Sequence, residues 1–175
     1  MKANWKIPEP STLTNYQSEY IRHVQENDLP SLLQKMHDNT LSFARNIPES
    51  KLSFRYMPGK WTIPELFMHI IDSERVFSYR MLRIARNDKT DLPGYEENEY
   101  IADIQELNHQ RSFQDILDDY SATRKSTIRL VQSFPDAVLD RFGFANKNKV
   151  TVKIIGYMLA GHEMHHLEVI KSRYL

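Results

Sequence analysis

Apolar residues recur at three- and four-residue spacings over four long stretches of this chain, and turn-forming residues fall between those stretches rather than inside them. That is the pattern of amphipathic helices packed on one another. The first long helix is predicted from about Pro30 to Asn46, carrying Leu32, Leu33, Met36, Leu41 and Phe43, with Ile47-Pro48 as its stop. The second starts at a capping box, Thr62 followed three residues later by Glu65. Pro64 is tolerated there because the first turn has no intrahelical partner for its missing N–H. This helix should reach about Arg86, with Ile63, Leu66, Phe67, Ile70, Phe77, Met81 and Ile84 on one face. A weaker capping box at Ser112 and Asp115 opens the third, which ends before Pro135, and the last runs from about Thr151 to the end of the chain. Ahead of them Pro8 to Asn27 carries Tyr16, Tyr20, Ile21 and Val24 at the spacing of a short helix lying on the bundle.

The predicted architecture is therefore all-α, a four-helix bundle with an additional N-terminal helix, in one domain over residues 1–175. The remaining segments read as connections. Residues 47–59 have room for one helical turn. The acidic stretch Asp91-Leu92-Pro93-Gly94-Tyr95-Glu96-Glu97, within Asn87 to Tyr100, is a loop of the length that often serves function, for instance as a lid. Asp136 to Lys149, with Phe142 and Phe144 flanking Gly143 and a polar run over 146–149, is a further connection. On the third helix Asp118, Asp119, Arg124 and Lys125 read as a solvated face.

Composition narrows what such a bundle can do. Lys+Arg and Asp+Glu number 23 each, so the overall field gives no reason to expect nucleic acid or an anionic membrane surface as partner. With no cysteine, the chain cannot itself supply a disulfide, a thiolate metal site or a cysteine nucleophile. The N-terminus lacks an apolar run of signal-peptide length and no stretch approaches ~18 apolar residues, so a cytoplasmic location is expected. The five glycines form neither a G-x-G-x-x-G nor a Walker-type loop. Histidine and carboxylate must carry any metal chemistry.

Three of the seven histidines lie in Gly161-His162-Glu163-Met164-His165-His166. On a helix His162 and His166 share a face, joining Ile155, Met158, Leu159 and Val169, while His165 falls roughly 80° to the side. Burying two imidazoles in an apolar stripe is unfavourable unless each finds a partner, and one shared metal ion serves both. The literal match to H-E-x-x-H fails on context, because the nine residues after His166 contain no histidine and only Glu168 as a carboxylate. If a third ligand exists, it must come from upstream, on another helix of the bundle. His23, His37 and His109 lie in polar segments and read as exposed; His69, flanking the apolar stripe of the second helix, is the better candidate. Glu74 projects into that stripe, as a partner of the site or an ion-paired acid, and Glu163 points off the metal face.

Gly59-Lys60-Trp61-Thr62-Ile63-Pro64-Glu65-Leu66-Phe67-Met68-His69-Ile70, taken with Gly161-His162-Glu163-Met164-His165-His166-Leu167, resembles the DinB/YfiT-like superfamily of metal-dependent enzymes. There a Trp-Ser/Thr-x-x-Glu helix start leads to a first histidine and a C-terminal H-x-x-x-H gives two more. The resemblance spans about Leu32 to Tyr174; between Thr90 and Gln110 no family signature is recognisable. It implies His69, His162 and His166 as the metal ligands, with His165 a non-ligating neighbour. It further implies an up-down-down-up helix order, a long crossover between the second and third helices, Ni2+ or Zn2+ as cofactor, and frequent homodimers. Its members include metal-dependent hydrolases and transferases of low-molecular-weight thiols, so a small-molecule substrate attacked by water or thiol is implied. A non-catalytic bundle that keeps its metal for structure or stress response is the alternative.

Overall fold

The computed structural model describes residues 3–107 and 111–175. A 3-10 turn at Pro10–Thr12 and a short helix α1 (Asn15–Ile21) precede α2 (Leu29–Arg45), the single turn α3 (Glu49–Leu52) and α4 (Ile63–Ala85). Then follow β1 (Asp91–Leu92), α5 (Glu97–Leu107), α6 (Phe113–Gln132), α7 (Asp136–Leu139), β2 (Phe142–Ala145), β3 (Asn148–Thr151) and α8 (Val152–Arg173). The helices α2, α4, α6 and α8 form the bundle. The capping boxes at Thr62–Glu65 and Ser112–Asp115 both form, and each fixes its helix start where the sequence places it.

Cross-helix contacts give the helix directions. The Tyr174 hydroxyl, just past α8, donates to the Trp61 carbonyl, just ahead of α4, so these two helices run antiparallel. Along α4 and α6, Glu74 pairs with Arg124 and Ser78 with Thr127, a parallel register. Tyr157 reaches the Asn27 carbonyl ahead of α2, and Thr40 further along α2 meets Glu163 further along α8, so these two are parallel. The order is up-down-down-up, and the crossover from α4 to α6 carries β1 and α5.

The bundle centres on α8, buried without interruption from Ile154 to Glu163. One apolar cluster gathers Trp5, Leu29, Leu33, Met81, Val131, Tyr157 and Leu159; a second, toward the other end, gathers Leu41, Ile63, Phe67, Ile70, Leu117, Tyr120 and Ile170. Each fully buried aliphatic side chain contributes about 1.5–3 kcal/mol. On α8, His162 and His166 lie between the residues of the two clusters, and on α4 His69 falls among those of the second, next to Ile70.

The helical bundle is as expected, but two connections hold more structure than their composition announces. Asn146 and Lys147, with φ of 50° and 63°, make the two-residue turn of a β2–β3 hairpin, and β1 adds to β2 in parallel. A Cβ on Gly143 would fall 2.7 Å from Ile84 Cγ1, so β2 lies on α4 only because that residue is glycine. The region read as a loop to Tyr100 already turns helical at Glu97. Among the described residues no helix is long and apolar enough to cross a membrane.

Candidate metal centre

Each of the three histidines is delivered by a helix whose position is locally determined. On α4, the Thr62–Glu65 capping box is held further by Arg55, whose guanidinium bonds both Glu65 oxygens at 2.7 and 2.8 Å; His69 sits one turn on. Trp61, anchored through its carbonyl by Tyr174, lays its ring against His69 with centroids 4.8 Å apart. On α8, Gly161 lets the end of α1 approach: a Cβ there would fall 2.2 Å from the Tyr20 carbonyl oxygen. That approach puts the Tyr20 ring 5.4 Å from His162 and 5.8 Å from His165, and Phe77 closes the other side of His162 at 5.8 Å.

Between these walls the Nε2 atoms of His69, His162 and His166 form a near-equilateral triangle, with edges of 3.0, 3.1 and 3.1 Å. They form a group of metal-ligating type among the described residues. The triangle is hard to satisfy with imidazoles alone. A neutral ring presents at Nε2 either an N–H or a lone pair, so of three mutually adjacent Nε2 atoms at least two are alike and repel. One cation facing three lone pairs removes the conflict, and bonds of about 2.0–2.1 Å to a single ion are compatible with edges of this length. Burial pulls the His69 imidazole down to about 4. Burial, reinforced by the neighbouring rings His69 and His165, takes His166 to about 3 and moves His162 in the same direction. All three are therefore neutral near pH 7, the state a metal ligand requires.

A cavity of about 620 Å³ opens onto this triangle, walled by Tyr16, Tyr20, Phe77, Arg80, Tyr95 and the β2–β3 turn. A smaller one of about 240 Å³, lined by Tyr56, Trp61 and Tyr174, also reaches His165 and His166. His165 lines both, with its ring 5.2 Å from that of His166 and its Nε2 outside the triangle.

Behind the histidines lies a polar cluster that the charge pattern of α6 concealed. Arg124 is fully buried instead of solvated, donating to both Glu74 oxygens at 2.8 Å and to Glu163. Glu163 also accepts from Thr40 Oγ1 at 2.6 Å and from the Tyr120 hydroxyl at 2.8 Å. Glu74 is thus the ion-paired acid, and Glu163 is turned from the imidazoles. A signal was available: counting by threes and fours, Leu117, Tyr120, Arg124, Thr127 and Val131 trace one face, and Arg124 falls within it. His37 also departs from the exposed reading. It is buried where α2 meets α6, stacked on Tyr120, with Nε2 2.9 Å from Ser121 Oγ and Nδ1 2.8 Å from Asp38. His23 is half-buried, its ring 6.2 Å from that of His165. His109 lies outside the described residues.

Comparison with known proteins agrees with this geometry. The sequence profile of the DinB superfamily matches residues 32–170. Among solved structures, YfiT from Bacillus subtilis, described as a probable metal-dependent hydrolase with an unusual four-helix bundle topology, is similar with a TM-score of 0.65. The match covers 95% of this chain and 90% of that one at 17% identity, a likeness of fold. No curated protein matches the chain.

Proposed function

The chain belongs to the DinB superfamily, and on that premise we propose that it is a metal-dependent enzyme acting on a small molecule, with His69, His162 and His166 holding Ni2+ or Zn2+. The observation that carries this reading is the triangle of Nε2 atoms, 3.0–3.1 Å on an edge, at the floor of a cavity of about 620 Å³. A purely structural metal has no use for such an opening, whereas three protein ligands with free positions are the arrangement of catalytic sites.

An ion bound there supplies Lewis acidity toward a water or a low-molecular-weight thiol, making either a competent nucleophile near neutral pH. The protein's own part is to keep the imidazoles neutral by burial, to hold them in one triangle, and to shelter the reacting atoms with Tyr20, Trp61 and Phe77. Without cysteine it offers no thiol of its own, so in the transfer reaction the thiol is a substrate. Glu163, engaged by Thr40, Tyr120 and Arg124, is not free to serve as a base. Hydrolysis and thiol S-transfer are the two reactions this arrangement supports; a cytoplasmic homodimer is the accompanying expectation.

The test is metal analysis of untagged protein, combined with assays of ester and amide hydrolysis and of thiol conjugation to a generic electrophile. Wild type should carry about one nickel or zinc per chain, and His69→Ala and His162→Ala should lose it together with activity. Metal content unchanged in both variants would overturn the site. Metal without turnover across the panel would favour a non-catalytic module.

A further inference from the structure

His69 and Arg80 stand eleven residues apart on α4, which returns them to the same face within about 20° and separates them by about 16 Å along the axis. Both line the large cavity, with Phe77 between them. Tyr95, which also lines it, is held against α4 by its hydroxyl, 2.6 Å from Ser73 Oγ, at a position between His69 and Arg80 along the helix. The cavity therefore extends along α4 from the histidines to Arg80.

Arg80 differs from its neighbours on that helix. Arg75 and Arg83 each take an aspartate, Asp119 and Asp88. The half-buried Arg80 makes one hydrogen bond among the described residues, from Nη2 to the Pro93 carbonyl at 2.7 Å. Tyr16 and Tyr95 line the cavity with it. Glu96 and Glu97 line the same cavity, but both are exposed and neither pairs with the guanidinium. A partly desolvated guanidinium with open donors, facing phenols in the cavity that leads to a metal site, is a receptor for an anion. With one cation and two rim carboxylates nearby, a singly charged carboxylate suits it better than a phosphate dianion.

We propose that the cavity takes an elongated substrate bearing a carboxylate at the end remote from the reacting atom, with that carboxylate bound by Arg80 beside Tyr16 and Tyr95. The inference rests on the metal-site reading above, which fixes where the reacting end lies. Helical side chains lean toward the N-terminus, so the guanidinium reaches back toward His69 and the span to be bridged is roughly 10–16 Å. An extended chain of roughly eight to twelve atoms covers it.

The experiment uses cobalt(II)-loaded protein titrated with ω-mercaptoalkanoic acids of increasing length and with the matching ω-mercaptoalcohols, followed by thiolate-to-cobalt absorption. At short lengths acid and alcohol should bind alike. Beyond about eight chain atoms the acid should bind at least about tenfold more tightly, and Arg80→Gln should abolish that preference while leaving the long alcohol unchanged. Equal binding of acid and alcohol at every length overturns the inference, as does a preference that survives Arg80→Gln. If Arg80 merely pins the Pro93 loop, the variant will weaken acid and alcohol equally, which also overturns it. Failure to form the cobalt spectrum at all removes the metal reading and this inference with it; a normal cobalt spectrum without acid preference removes this inference alone.

Discussion

Without Arg124, the carboxylates of Glu74 and Glu163 would face each other at 2% exposure or less with no cation between them. Burial alone would disfavour the Arg124 charge, but the two carboxylates hold its pKa well above the usual arginine range. The cluster costs desolvation to assemble, and breaking it by removing one member costs more than the pair contributes net. Arg124→Ala is therefore expected to lower stability by about 3–5 kcal/mol, read as a shift of the urea midpoint. Replacing Arg124, Glu74 and Glu163 together by Met, Leu and Gln should cost much less, since no charge is orphaned and the new amide carbonyl still accepts from Thr40 and Tyr120. If the single and triple variants prove equally destabilised, the charge argument is wrong and the loss is one of packing. Because Glu163 follows His162 directly, the cluster also sets the rotation of α8 that presents His162 and His166.

The packing of α1 on α8 depends on one atom's absence. With the Tyr20 carbonyl 2.2 Å from where a Gly161 Cβ would stand, and backbone as the obstacle, Gly161→Ala forces the end of α1 outward. Earlier proteolytic cleavage between α1 and α2 is expected, with a loss on the order of 1–3 kcal/mol. Because Tyr20 leaves with α1, water should gain access to His162, and metal should exchange faster than in wild type. Unchanged proteolysis and exchange would show that α1 adapts without moving. Of the four bundle helices, α2, α4 and α6 are legible because each carries an apolar stripe of helical period, whereas α8 is apolar on nearly every side and buried continuously from Ile154 to Glu163; three of the four starts carry side-chain caps, at Thr62, Ser112 and Thr151. The hairpin is not legible, because its turn uses Asn146-Lys147, where Lys147 adopts positive φ without the glycine that announces such turns. His69 and the α8 pair stood out because polar rings beside an apolar stripe need a reason. Arg124 is hard to read because its charged neighbours Asp118, Asp119 and Lys125 give the stretch the look of a solvent face, while only the three- and four-residue spacing from Leu117, Tyr120, Thr127 and Val131 places it in the buried stripe.

For the molecule as a whole, the same burial that prepares the histidines for metal makes the metal-free protein sensitive to acid. His69 sits at about 4 and His166 at about 3 in the folded state, against about 6.5 for an unfolded histidine. Between those values the unfolded chain binds more protons than the folded one, so stability is fully present above about pH 6.5 and falls as pH drops toward 3. His69 alone accounts for a loss on the order of 2 kcal/mol between pH 7.5 and 5. Urea midpoints of the metal-free protein should thus decline over that interval, most of which lies above the range in which ordinary carboxylates titrate. In the double variant His69→Gln/His166→Gln the decline should be shallower, because the groups that create it are gone. Adding nickel or zinc should raise the wild-type stability by about 2.7 kcal/mol at one hundred times the dissociation constant, and the increment should hold down to about pH 5, because the folded imidazoles of His69 and His166 are still neutral there and bind metal without competition from protons. A wild-type midpoint that is flat with pH, or a double variant that declines as steeply, would mean that the triangle is not held neutral by the fold, and the metal site would then lose its preorganisation argument.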